Sequence, residues 1–205
     1  MSAPVLGLIL AGGLARRMGG GDKPLLRLGG RTLLARVAER LETQCGAGLA
    51  LSANGDPARF GAFPGPVLPD TLPDRPGPLA GILAGLEHAA SRGVGAIVSV
   101  SGDAPFLPAD LVARLVAVRP EAGIALAASG ERRHYTIALW PAALRHDLRL
   151  YLEGGERRVG GFIARHPAAA ASWPVAPLDP FLNINTPEDL AAAEAVLAMS
   201  APRSV

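Results

Sequence analysis

The 205-residue chain has one cysteine, one lysine and nine aromatic residues. A single cysteine, Cys45, excludes a disulfide framework and a cysteine-rich zinc site. The aromatics do not interleave with basic groups, and no basic run exceeds two residues. With a formal net charge of only +2, these absences argue against a dedicated nucleic-acid surface. The apolar run Val5–Ala11 is too short to span a membrane. No basic segment precedes it, so no secretory signal is read. The expectation is a soluble cytoplasmic protein with no nucleic acid and no membrane among its partners.

What is abundant is Ala, Gly, Pro and Arg. Nineteen of the 20 basic residues are Arg. A GC-rich coding background accounts for that skew. It does not account for the lone Lys23, which sits in a glycine-rich loop. Hydrophobic residues make up 49% of the chain and charged residues 19%, a balance that folds and does not stay disordered. The length suits one domain with a real core. The reading is a single domain over 1–199 and a flexible tail over 200–205.

Short apolar runs alternate with longer amphipathic ones. Strands are predicted over Val5–Leu10, Gly48–Ala53, Pro66–Leu68, Gly95–Val100, Gly123–Ala128 and Tyr135–Trp140. Helices are predicted over Thr32–Gln44, Leu79–Ala90, Pro108–Val118, Ala142–Leu152 and Pro187–Ala198. The first helix places Leu33, Leu34, Val37, Ala38 and Leu41 on one face. Thr186 and Asp189 make a near capping box for the last. This alternation specifies an α/β fold, a mostly parallel sheet with helices on both faces. Ligands of such sheets sit at the carboxyl ends of strands. Attention therefore falls on the residues just after Leu10, Ala53, Leu68 and Ser101.

The segment from Leu10 to Pro24 holds five Gly, Arg16, Arg17 and Lys23. Glycines let the backbone approach a ligand and turn N–H groups toward phosphate oxygens. The segment is not a Walker A loop, because Asp22 precedes the Lys and Pro24 follows it. The spacing also fails the dinucleotide fingerprint. Asp103 comes just after the strand over 95–100, and one hard carboxylate there suits Mg²⁺ held jointly with substrate phosphates. Arg157 and Arg158 follow a Gly pair at a predicted helix start, a place that receives anions. Asn183 and Asn185 flank Ile184 and share a face if the segment is extended. Arg132 and Arg133 read equally as a solvated turn or as functional groups. His88, His146 and His166 read as scattered surface residues, and Cys45 as a packed thiol.

The runs Leu10-Ala11-Gly12-Gly13, Arg17-Met18-Gly19-Gly20 and Asp22-Lys23 resemble the signature of the MobA-like nucleotidyltransferases. Within that family the closest branch is that of the molybdenum cofactor guanylyltransferases. Further matching stretches are Pro76–Gly81, Gly102–Phe106, Thr136–Leu139, Gly155–Val159 and Asn183–Leu190. The resemblance implies a Rossmann-like three-layer sandwich of the nucleotide-diphospho-sugar transferase type. Its N-terminal half binds the nucleotide and its C-terminal half the pterin. The implied reaction moves GMP from GTP to the terminal phosphate of molybdenum-loaded molybdopterin and releases pyrophosphate. The implied site has the backbone of Leu10, Ala11, Gly12 and Gly13, with Lys23, Ser52, Asp70 and Asp103, on GTP. Asp103 carries Mg²⁺, Lys23 and Arg17 neutralise the β- and γ-phosphates, and Arg157, Arg158, Asn183 and Asn185 face the pterin. Ser52 stands where relatives often have Asn, with Asn54 as the alternative contact. Transient contacts with other proteins of cofactor synthesis and with acceptor enzymes are also implied. Two rivals use the same chemistry, cytidylyl transfer to the same pterin and nucleotidyl transfer to a sugar or metabolite phosphate. A non-catalytic nucleotide-binding module is the alternative of a different class.

Overall fold

A computed structural model describes residues 3–12, 22–72 and 77–200. Among the described residues, nine strands run β1 Leu6–Leu10, β2 Arg27–Leu28, β3 Arg31–Thr32, β4 Leu49–Ser52, β5 Val67–Leu68, β6 Ala96–Ser101, β7 Ile124–Ser129, β8 Arg132–Pro141 and β9 Ala168–Trp173. Among the same residues, six α-helices run α1 Leu33–Glu42, α2 Pro78–Ser91, α3 Leu111–Val118, α4 Arg145–Glu153, α5 Val159–Ile163 and α6 Pro187–Ser200.

Seven strands form one sheet in the order β5-β4-β1-β6-β8-β7-β9. Pairings β1–β4, β1–β6, β4–β5 and β7–β9 are parallel, so the sheet is mostly parallel as expected. The exception is β8, which lies inside the sheet and runs antiparallel to both β6 and β7. The chain moves outward from β1 to β4 and β5, then returns to place β6 on the other side of β1. That reversal opens a crevice above the carboxyl ends of β1 and β6.

Alternating residues of β1 divide the core into two layers. Ile9 joins Leu34, Val37 and Leu41 of α1 on one face. Leu6, Leu8 and Leu10 join Leu79, Ile82 and Leu86 of α2 on the other. The predicted apolar face of α1 is buried at all five positions, and Thr32 caps the helix by accepting from the Ala35 N–H at 3.1 Å. Helix α2 lies close on the sheet because two of its packed positions lack side chains. A Cβ at Gly85 would stand 2.5 Å from Leu8 Cδ2, and one at Gly81 would collide with Ser52 Oγ.

Several predicted boundaries shift. Helix α3 starts at Leu111, because Pro108–Asp110 form a turn in which Leu111 N donates to Pro108 O at 3.3 Å. The predicted helix over 142–152 begins as a short 3₁₀ turn, Ala142–Leu144, before α4. Strand β8 starts at Arg132, so Arg132 and Arg133 are strand residues and not a solvated turn. Helix α6 continues through Ser200, where a tail was expected to begin. The hairpin β2–β3 and strand β9 had not been predicted, whereas helix α5 begins at Val159, where a helix start after Arg157 and Arg158 was expected. The hairpin turns on Gly29 and Gly30, whose φ of 53° and 78° suit a two-residue primed turn. No described helix is long and apolar enough to cross a membrane.

Candidate active site

A cavity of about 480 Å³ opens at the carboxyl ends of β1 and β4. Leu10, Ala11 and Gly12 form one wall, and Ser52, Ala53 and Asn54 the next. Asp70 after β5 and Gly77, Pro78 and Gly81 at the start of α2 complete the far side. The strand ends are fixed by continued pairing: Ala11 N donates to Ser52 O at 2.9 Å and Ala53 N to Leu68 O at 3.0 Å. Gly81 gives Ser52 room to stand in the wall. Four of the residues expected on the nucleotide, Leu10, Ala11, Gly12 and Ser52, are thus brought together with Asp70.

Asn54 lines the cavity and also holds Asp70. Its Nδ2 donates to Asp70 Oδ2 at 2.8 Å, and its Oδ1 accepts from the Asp70 N–H at 2.9 Å. It fixes Asp70 on both its backbone and its carboxylate. Ser52 remains as the small polar side chain facing the cavity. The wall also contains Asp22 and Arg59, neither of which was singled out from the sequence. Arg59 follows β4 in a short 3₁₀ turn, Pro57–Phe60.

Lys23 and Asp103 stand beside this cavity and not in its wall. They are tied to it through Asp22 and through Gly102, whose N–H donates to Leu10 O at 3.0 Å. Lys23 Nζ is ion-paired with Asp103 Oδ2, and both side chains are only 13% exposed. The same Nζ donates to Asn185 Oδ1 at 2.6 Å. The second oxygen of Asp103 accepts from Ser101 Oγ at 2.5 Å. The Asp103 carbonyl accepts from the Ile184 N–H at 2.9 Å. Ile184 is buried with Leu28, Leu33 and Ala193. A residue near each end of the chain therefore meets the strand end of β6. Asp189 holds the last segment by accepting from the N–H groups of Asn185 and Thr186 at 2.8 and 2.9 Å, and Thr186 Oγ1 accepts in return from the Asp189 N–H. This is the predicted capping box with Asp in the Glu position.

No group of three or more His, Cys, Asp or Glu side chains lies close enough among the described residues to cage a metal. Asp103 is a single hard carboxylate with a hydroxyl beside it. That donor set fits Mg²⁺, which typically takes one or two carboxylates and leaves its other positions to water and phosphate.

The acceptor-side residues are less gathered. Arg157 Nη1 donates to Leu152 O and Glu156 O, both at 2.9 Å, at the end of α4. Arg158 is exposed, and its carbonyl accepts from the Tyr151 hydroxyl at 3.0 Å. Asn183 and Asn185 do sit at the Lys23–Asp103 cluster, through Asn185. Strand β8 carries a bulge: Leu126 pairs with Ala138 but Ala127 with His134, so Tyr135–Ile137 arch out of the ladder. Such irregularities re-aim side chains near active sites. Arg17 and Gly13 lie outside the described residues.

Of the three histidines expected at the surface, His146 is exposed and His88 and His166 are half-buried, while His134, which carried no such expectation, is buried. His88 is half-buried, and burial lowers its pKa, with Arg92 adding to the effect. His134 is 7% exposed, contacts Ser129 Oγ through Nε2 at 2.7 Å and packs against the Phe181 ring. Burial lowers its pKa against the opposing pull of Asp179. Cys45 is a packed thiol as expected, its pKa pushed up to about 12 by burial.

The MobA-like NTP transferase domain family matches residues 7–171. The chain belongs to this family. The chain is similar to a molybdenum cofactor guanylyltransferase of Bradyrhizobium sp. (strain ORS 278), 56% identical over 200 residues, 95% of this chain and 94% of that protein. A protein of the same name from Rhodopseudomonas palustris (strain BisB5) is 55% identical over 194 residues, 92% of each chain. Among solved structures, molybdopterin-guanine dinucleotide biosynthesis protein A of Archaeoglobus fulgidus superposes with a TM-score of 0.72 at 22% identity. The match covers 95% of this chain and all of that one. At that identity the superposition speaks for the fold alone, the α/β sandwich expected of the family.

Proposed function

We propose that this nucleotidyltransferase moves GMP from GTP to the terminal phosphate of molybdenum-loaded molybdopterin and releases pyrophosphate. One observation carries the reading. A nucleotide-sized cavity and the Lys23–Asp103–Asn185 cluster meet at adjacent strand ends, with a residue from the acceptor half already in the cluster.

The residues divide the work. Leu10, Ala11, Gly12 and Gly13 present backbone to the nucleotide, and Gly12 leaves room for a purine. Ser52 and Asp70 contact the nucleoside, Asp70 being aimed by Asn54. The pterin phosphate is the nucleophile. Its second pKa is ~6, so it is largely dianionic at neutral pH and needs no strong base. The barrier is electrostatic, because two anions must meet and charge then grows on pyrophosphate. Lys23 exchanges Asp103 and Asn185 for β- and γ-phosphate oxygens, and Arg17 adds a second cation for them. That exchange uncovers the Asp103 carboxylate and leaves Asn185 for the pterin. Asp103 would then hold Mg²⁺, which would supply charge that neutralises the substrate phosphates. Asn183, Arg157 and Arg158 complete the acceptor side with amide and guanidinium donors, which suit a pterin and its phosphate.

The half before about residue 120 is then the nucleotide half and the remainder the pterin half of one domain. The reaction belongs in the cytoplasm, with the product handed on through transient protein contacts. The deciding assay is pyrophosphate release with each of the four nucleoside triphosphates, with and without molybdopterin. Release with GTP and only in the presence of molybdopterin is expected. Release with CTP alone overturns the guanylyl assignment. Nucleotide binding without any release overturns catalysis.

A further inference from the structure

The nucleotide cavity has an unfavourable charge feature. Its described wall carries two carboxylates, Asp22 and Asp70, yet its substrate is a polyanion. Two bare carboxylates in a concave site would repel it. Asp70 is met by the amide of Asn54, which neutralises nothing but directs the carboxylate. Asp22 is met by a full cation. Arg59 Nε lies 3.0 Å from Asp22 Oδ2, and Arg59 Nη2 donates to Asn54 O at 2.5 Å. Arg59 is the one Lys or Arg among the described residues lining the cavity. Its guanidinium also rests on the Phe60 ring, 4.7 Å from the centroid, which limits its freedom.

Asp22, Arg59, Asn54 and Asp70 form a continuous line of contacts along one wall, the Arg59 side chain meeting Asn54 at its backbone carbonyl. Asp22 immediately precedes Lys23, and its carboxylate makes no capping bond to the 3₁₀ turn that starts there. Its side chain is turned toward Arg59 instead. Arg59 thereby ties the segment bearing Lys23 to the wall built by β4 and β5. An Arg suits this place because its fork reaches a carboxylate and a carbonyl together, which a single ammonium does less well.

We infer that Arg59 is a positioning residue for the nucleoside triphosphate: it cancels the Asp22 charge and anchors the Lys23 segment against the β4 wall. The inference rests on the nucleotide reading of the same cavity. It adds that the cavity admits a polyanion only while Asp22 is paired.

The test is GTP binding to the full chain in Mg²⁺ by titration calorimetry, alongside steady-state kinetics. Arg59→Ala should weaken GTP binding by about tenfold, the scale of one charge-assisted contact. It should raise KM for GTP far more than it lowers kcat, and leave the melting temperature close to wild type because the side chain is exposed. Arg59→Lys, which keeps the charge, should stay within about threefold of wild type on the same scale. The decisive variant is the double one. If the harm comes from an uncovered carboxylate, Asp22→Asn in the Arg59→Ala background should restore most of the lost affinity. A merely structural Arg59 would gain nothing from that second change. Wild-type affinity in Arg59→Ala, or a double variant as weak as Arg59→Ala, overturns the inference and leaves the guanylyl reading standing. A wild-type chain that binds none of the four nucleoside triphosphates overturns both.

Discussion

The two halves of the molecule hold their polar residues in different ways. Around the cavity at the strand ends, the described charged side chains are already partnered. Lys23 meets Asp103, Arg59 meets Asp22, and Asn54 holds Asp70. Each sits at or next to a strand end whose position is set by sheet pairing. In the acceptor half Arg157 and Arg158 are exposed, and the cognate strand β8 departs from regular pairing at Tyr135–Ile137. The contrast teaches that paired side chains gather at the strand ends around the cavity, whereas the half beyond β7 offers turns and a bulge.

The strongest way to break this comparison is at the cluster where the halves touch. Asp103→Ala should lower turnover by roughly a thousandfold, the scale of losing a preorganised electrostatic group. The melting temperature should change little, since Asn185 still accepts from Lys23. A folded variant with near-normal pyrophosphate release would remove Asp103 from the mechanism. Lys23→Arg keeps the charge but replaces a compact ammonium with a planar fork. It should cost roughly tenfold or more in kcat/KM, about 1.4 kcal/mol of transition-state stabilisation. Normal turnover would mean that any cation serves there.

Smaller effects sharpen the division. Gly81→Ala drives a methyl into Ser52 Oγ, and such overpacking costs about 1–3 kcal/mol. It should raise KM for GTP and lower the melting temperature, and Ser52→Gly in the same chain should restore the melting temperature but not KM for GTP. Arg157→Ala should raise KM for molybdopterin several-fold with KM for GTP unchanged. An equal rise for both substrates would show that the halves are not separate in function.

The smallest expected effect is a pH dependence of stability. Burial holds His134 below its ordinary value of 6.5 in the folded chain. The unfolded chain therefore takes up the proton first as pH falls. Stability is fully present above about pH 6.5 and declines below it, down to the lowered folded value. Melting curves between pH 8 and pH 5 should show that decline, and His134→Gln should flatten part of it. A decline unaltered by the substitution would assign it to other groups, His88 among them.

Much of the nucleotide half was legible because two periodicities agree there. The apolar run of β1 and the one-sided pattern of α1 leave few alternatives, and strand ends mark where ligands bind. Gly12, Ser52, Asp70 and Asp103 followed from that rule together with the family signature. Strand β9 was not legible: its Ala168–Ala171 run has no β-branched or aromatic residue, and parallel pairing to β7 makes it a strand. The antiparallel direction of β8 was equally hidden, since alternation reads the same in both directions. Arg59 was missed for another reason. Its role depends on Asp22, a partner brought near only by the crossover from β1 to β4.

Strand β8 is also a seam. Its ladder to β6 covers four paired positions, Ala96–Ser99 against Ala138–Pro141. Ser99 Oγ fastens it by donating to the Thr136 carbonyl at 2.7 Å and accepting from Trp140 Nε1 at 2.8 Å. Beyond that short, well-fastened stretch, the strand leans toward β7 and belongs to the other side. A chain joined this way can diverge in its acceptor half as an exchangeable cassette, while the strand bearing Asp103 keeps its register.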